Sequence, residues 1–120
     1  MKLLLSISFL LTLGLIKLNG QVSCVDNLPS DLLIPNIVTP NDDGQNDYFK
    51  VISEELVDLK VQIYNRWGNL LYTYTGKNGE WDMTLGGKPI TEGVYFYTAE
   101  ITTTCTTEKQ VKQGSFTVVK

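Results

Sequence analysis

A chain of 120 residues, 42% hydrophobic and 19% charged, has the balance of one globular domain and excludes both a disordered tail and a multidomain machine. Histidine is absent, which removes the commonest general base and metal ligand together with every Ser-His or Cys-His nucleophile pair. Ten basic residues against thirteen acidic ones, a net charge of −3, leave no basic footprint for nucleic acid.

Residues 1–20 read as a secretory signal peptide. Met1-Lys2 is the cationic start, an apolar run follows, and Gly20 is the small residue before cleavage, with Gln21 as the new N-terminus. Two competing readings are a membrane anchor and a lipid-attachment signal ending at Cys24. Lys17 stops the apolar run short of the ~20 residues that a span needs. Gln21-Val22-Ser23-Cys24 has a polar residue where a lipid-attachment signal carries Leu. Loss of the signal removes Lys2 and Lys17 from the ten basic residues and leaves eight against thirteen acidic ones. Cys24 and Cys105 are the only thiols, so one bridge is the single connectivity open to an exported chain. Closing a loop of ~80 residues contributes up to ~4 kcal/mol in the chain-entropy account.

Residues 21–33 form a short leader, and beyond it the hydrophobic period is two. Leu59, Val61 and Ile63 alternate with Lys60, Gln62 and Tyr64, and Tyr95, Tyr97, Ala99 and Ile101 alternate with Val94, Phe96, Thr98 and Glu100. The pattern predicts strands over 33–38, 48–53, 59–65, 69–75, 93–103 and 107–119, with a further short one at 80–83. The last long pair is a hairpin turning at Thr104-Cys105-Thr106. Turn residues separate the runs at Pro40–Gly44, Trp67–Asn69, Gly76–Gly79 and Gly86–Pro89. Only Ser53 to Asp58 suits a helical turn. The expected fold is all-β, an antiparallel immunoglobulin-like β-sandwich of six or seven short strands.

Four phrases are more specific than periodicity. Thr39-Pro40-Asn41-Asp42-Asp43-Gly44-Gln45-Asn46-Asp47-Tyr48-Phe49 comes first, followed by Tyr64-Asn65-Arg66-Trp67-Gly68 with Trp81-Asp82 downstream. Gly87-Lys88-Pro89 then leads into Gly93-Val94-Tyr95, and Gly114 to Lys120 forms a last alternating strand. In this order, from Ile34 to Lys120, they resemble the gliding-motility-associated C-terminal domain, the type B sorting module of the Bacteroidota type IX secretion system. Asp42 replaces a usual Gly, Val38 an aromatic, and Met83 a Gly that often follows Trp-Asp. The resemblance implies a non-enzymatic module over 34–120, exported through the periplasm and recognised, folded, at the outer-membrane type IX translocon, for display at the cell surface or release. Cell-surface components are further expected partners, and neither nucleic acid nor a small-molecule substrate is. Its sorting signal would lie in the terminal strand, with Gly114, Phe116, Thr117, Val118 and Lys120 as candidates and 114–120 as a candidate sheet edge. Such modules sit behind long passengers, whereas a signal and a dozen residues precede this one. The alternative is a free-standing secreted adhesin or binding module, and a passenger reading frame upstream would separate the two.

Three constellations carry a chemical reading beside a structural one. Asn41, Asp43 and Asp47 offer oxygens for Ca²⁺. With Gly44 on the glycine of a helix-loop-helix calcium loop, Thr39, Asn41, Asp43, Gln45, Asp47 and Lys50 fall on the ligand positions. A cation at the last of these excludes that motif. What remains is another calcium geometry or a turn with Asn and Asp capping amides and Gly44 at positive φ. The aromatics Tyr64, Trp67, Tyr72, Tyr74, Trp81, Tyr95 and Tyr97 read as a stacking platform for sugars or as core. Glu54-Glu55 reads as a catalytic pair or as a solvated turn, and neighbouring residues on a strand face opposite ways. With no zinc spacing, phosphate loop or serine elbow, no cofactor and no enzymatic activity are expected.

Overall fold

A computed structural model describes residues 22–120. The signal peptide expected at 1–20 and its cleavage site lie outside the described residues. Among them, nine strands form and no helix. They are β1 (Cys24–Val25), β2 (Leu28–Pro29), β3 (Ile37–Val38), β4 (Leu56–Tyr64), β5 (Leu70–Thr75), β6 (Thr84–Leu85), β7 (Lys88–Pro89), β8 (Gly93–Thr103) and β9 (Thr106–Val118).

One regular sheet carries the fold, in the order β3-β9-β8-β4-β5. The long alternating runs make its centre. On β4, Leu59, Val61 and Ile63 are buried, and across the ladder they meet Ile101, Ala99 and Tyr97 of β8. The β8–β9 hairpin turns at Thr104–Cys105, and Tyr95 lies opposite Phe116. Side chains of period two place all of these on one face.

The second layer is irregular. Two short ribbons, β1–β2 and β6–β7, and the isolated bridges Leu33↔Ile52 and Phe49↔Trp81 cover the inner face. Phe49, Val51, Trp81, Met83 and Ile90 supply its buried side chains. Ring contacts join the layers, with Phe49 at 4.6 Å from Phe116 and Tyr72 stacked on Trp81 at 5.1 Å between centroids. Each fully buried side chain of this size contributes about 1.5–3 kcal/mol relative to exposure.

The all-β sandwich is the expected class, but the details differ from the sequence reading. The main sheet is mixed, because β3 joins β9 in parallel. Segment 33–38 keeps only the Leu33 bridge and Ile37–Val38, since Pro35 has no amide to give a ladder. Segment 48–53 reduces to single bridges at Phe49 and Ile52, and 80–83 to one at Trp81, because each faces a different short partner. At 53–58 there is a turn over Glu54–Glu55 and then strand, since burying Leu56 beside Thr103 extends the β4 ladder.

The residues before the family-like segment are docked rather than loose. Cys24 and Cys105 form a disulfide that ties β1 to the β8–β9 turn, 81 residues away. Asp26 and Asn27, both at positive φ, make the tight β1–β2 turn. Leu28 packs against the core, and Asp31 accepts the Ser53 hydroxyl (2.6 Å) and the Glu54 amide (2.8 Å). The Ser53 hydrogen bond, with that amide second, holds the Asp31 carboxyl below its ordinary pKa.

Candidate functional site

The 39–47 loop is built around one carboxylate. Asp47 Oδ1 accepts the amides of Asn41 (3.1 Å) and Asp42 (3.0 Å), and Oδ2 accepts that of Gly44 (2.8 Å). Asn41 Oδ1 takes the Asp43 amide and Asp43 Oδ1 the Gln45 amide. Thr39 donates its amide to the Asn46 carbonyl at 2.7 Å, closing the loop after the half-buried Pro40. Asp42, Gly44 and Asn46 all have positive φ, at 62°, 82° and 55°. Among the described residues no group of three His, Cys, Asp or Glu is gathered as metal ligands.

Two departures from the family phrases now have a physical meaning. Asp42 and Met83 stand where Gly is usual, and both take left-handed backbone, at φ 62° and 65°. Asp tolerates this conformation through its short polar side chain, while Met83 is held there by complete burial. Opposite effects are therefore expected at neighbouring positions. Gly44→Val should cost about 1–3 kcal/mol from strain alone, as a Cβ there meets nothing within 4 Å. Asp42→Gly should gain about 0.5 kcal/mol, strain relief of ~1 outweighing the entropy of a freer unfolded chain. Urea midpoints of the two variants check both signs.

Trp81 and Asp82 are scaffold. The Trp81 indole donates to the Thr84 carbonyl at 2.9 Å, and Asp82 Oδ1 accepts the Thr84 amide and hydroxyl. Tyr74, Trp81 and Tyr95 are buried, with Tyr72 and Tyr97 packed beside them, so most of the aromatics are core. Glu54 and Glu55 diverge: Glu55 accepts the Thr104 hydroxyl, while Glu54 meets Asp31 only through its amide.

The terminal strand is more embedded than a free edge. Phe116 and Val118 are core residues, and the amides of Thr117 and Val119 are given to Asn36 and Val38. The expected edge at 114–120 is therefore covered at its end by β3. Gly114 makes room for the Tyr97 ring, whose hydroxyl would have to shift from a Cβ 2.6 Å away. Thr117 and Val119 point their amides at β3, so by alternation Ser115, Gln113 and Val111 present theirs outward. Lys120 gives its amide to Glu92.

One end of the sheet is different in character. Asn65 Oδ1 accepts the amides of Trp67 (2.9 Å) and Asn69 (3.0 Å), and Gly68 turns at φ 85°, fixing the β4–β5 tip. Trp67 projects from it with 72% of its surface exposed, and the Arg66 guanidinium lies 4.7 Å from the ring centroid. Beside the tip, the outer face of the sheet carries Leu70, Tyr64 and Phe96 in one row, then Val94, Thr117 and Ile37 in the next. Leu70, Phe96, Val94 and Ile37 are each 42–52% exposed. A groove of about 450 Å³ opens between Tyr64, Phe96 and Ser115. Trp67 thus leaves the core assignment, and the outer row is absent from the sequence reading. Its signal lay in β8, where Val94 and Phe96 make the second face apolar too.

The model of the family described as CHU_C Type IX secretion signal domain matches residues 32–118. No curated protein matches the chain.

Proposed function

This chain belongs to the type IX secretion signal domain family, and on that premise we propose that it is a non-enzymatic sorting module acting as a folded unit. It would carry the exported protein from the periplasm to an outer-membrane translocon and on to the cell surface or beyond. The observation that carries this reading is the family match over 32–118, which spans both layers from Leu32 to Val118. The fold is consistent with recognition by shape. Its turns are stiffened by side-chain caps, and its titratable pairs are ordinary surface contacts such as Lys109–Glu100 and Lys50–Glu80. The test is a fusion of residues 22–120 behind a reporter with its own signal peptide, fractionated from a type IX-competent host. Reporter at the surface or in the medium is expected, and reporter confined to the periplasm would refute the assignment.

We read the 39–47 loop as a self-capped turn that needs no cation. Asp47 already receives three amides, and Asn41 and Asp43 one each. Replacing a chelator by millimolar Ca²⁺ is expected to leave the melting midpoint unchanged. A calcium-dependent rise of several degrees would assign those oxygens to the ion.

A further inference from the structure

We infer that the oxidised module is a tension-bearing link, in which force applied between its two ends passes through the Cys24–Cys105 bridge and β9 and leaves the core unloaded. The inference goes beyond the sorting reading and rests only on the bridge and on the order of the strands.

The bridge joins two particular places in the chain. Cys24 is the first residue of β1, and Cys105 immediately precedes β9, so the S–S bond closes everything from β1 to β8 into one covalent loop. Beyond the loop on the C-terminal side lies β9, Thr106–Val118, followed by Val119 and Lys120. A strand is already near the full reach of its backbone, at ~3.3 Å per residue against a maximum of ~3.6 Å. The register shift of β9 against β8, between Ile101 and Thr103, stores a little more length. Pulled from both ends, the line from Cys24 to Lys120 spans about 40 Å and can lengthen by only about 10 Å. The strands of the loop hang on it through the β8–β9 ladder and carry none of the force.

Without the bridge the force takes another route. It enters through β1, runs along the leader and reaches β3, which lies parallel to the far end of β9. The two ends then pull β3 and β9 past each other. Resisting them are the amides of Thr117 and Val119, bonded to the carbonyls of Asn36 and Val38 at 3.0 Å each. Hydrogen bonds yield under a force that a covalent bond survives, so the sheet opens from this short pair. Once it parts, the chain from Cys24 onward can extend by about 300 Å beyond its folded span. The lock is reversible. Cys24 is exposed and Cys105 half-buried, so a dithiol can reach the bridge. Attack by its thiolate breaks the S–S bond, leaves two protein thiols and converts the dithiol to its own disulfide.

The experiment holds residues 22–120 in a force clamp between two handle domains that contain no cysteine, first without and then with dithiothreitol. The oxidised chain should lengthen by about 10 Å at most. Dithiothreitol added to the stretched molecule should then release about 300 Å, at a rate that rises with its concentration. The Cys24→Ser/Cys105→Ser chain should reach the same final length without the reagent, whether or not it was folded at the start. A long release from the oxidised chain before reduction, or only a short one after it, would overturn the inference. So would a Cys24→Ser/Cys105→Ser chain that stays short. Sorting is untouched by either result, because the reporter fusion tests it separately.

Discussion

Replacing Phe49 by alanine is expected to lower the unfolding free energy by about 3–5 kcal/mol, a large share of the ~5–15 kcal/mol of a small domain. Phe49 is fully buried and stands where the irregular layer meets the regular sheet. Its ring contacts Phe116 of β9 at 4.6 Å and Tyr97 of β8 at 5.5 Å between centroids. Its backbone exchanges two hydrogen bonds with Trp81, at 2.8 and 3.0 Å. Truncation therefore removes transfer energy and opens a void between layers, and that pairing with Trp81 restrains collapse into the void. Phe49→Leu should cost distinctly less. Urea unfolding of both variants checks the order, and a loss under ~1 kcal/mol for Phe49→Ala would mean that the layers do not meet through this ring.

Removing the Cys24–Cys105 bridge should cost about 2–4 kcal/mol. The two cysteines close a loop spanning 81 positions, nearly the whole described chain, so their link restricts the unfolded ensemble strongly. In the folded state the bridge clamps β1 to the β8–β9 turn, which is held to Glu55 by both the amide and the hydroxyl of Thr104. Cys24→Ser/Cys105→Ser should unfold at lower urea, with amide exchange accelerated first in β1–β2. Intact mass should rise by two hydrogens on reduction of the native protein. Two freely alkylated thiols in that protein would contradict the bridge.

Long elements were legible in the sequence because alternation persisted long enough to fix a face. The β4 and β8 runs keep period two over six or more residues, β5 and β9 are marked by β-forming residues between turns, and each of the four is found within a few residues of its expected bounds. The parallel β3–β9 pair was not legible, since two residues after Pro35 carry no sign of their partner's direction. Segment 48–53 alternates as a strand should, with Phe49 and Val51 buried and Ile52 exposed, yet no partner of matching length lies beside it. Positive φ was legible at Gly44 from residue type, and the non-glycine positions Asp42 and Met83 stood out only against the resembled phrases. Trp67 and Trp81 were grouped with the other aromatics as platform or core, although Trp67 opens an expected turn and Trp81 lies in an expected strand. What separates them is the ladder: Trp81 pairs with Phe49 beneath the sheet, and Trp67 sits past the end of β4 on a two-residue turn.

Sorting by the folded module is tested most directly by surface labelling of the reporter fusion in two hosts, one with a working type IX translocon and one lacking it. Each host receives the fusion with the intact module and with the unfolded Phe49→Asp variant. Labelled reporter is expected only for the intact module in the competent host, with the other three combinations held in the periplasm. Labelling that is equal in the two hosts, or that survives unfolding of the module, would contradict it.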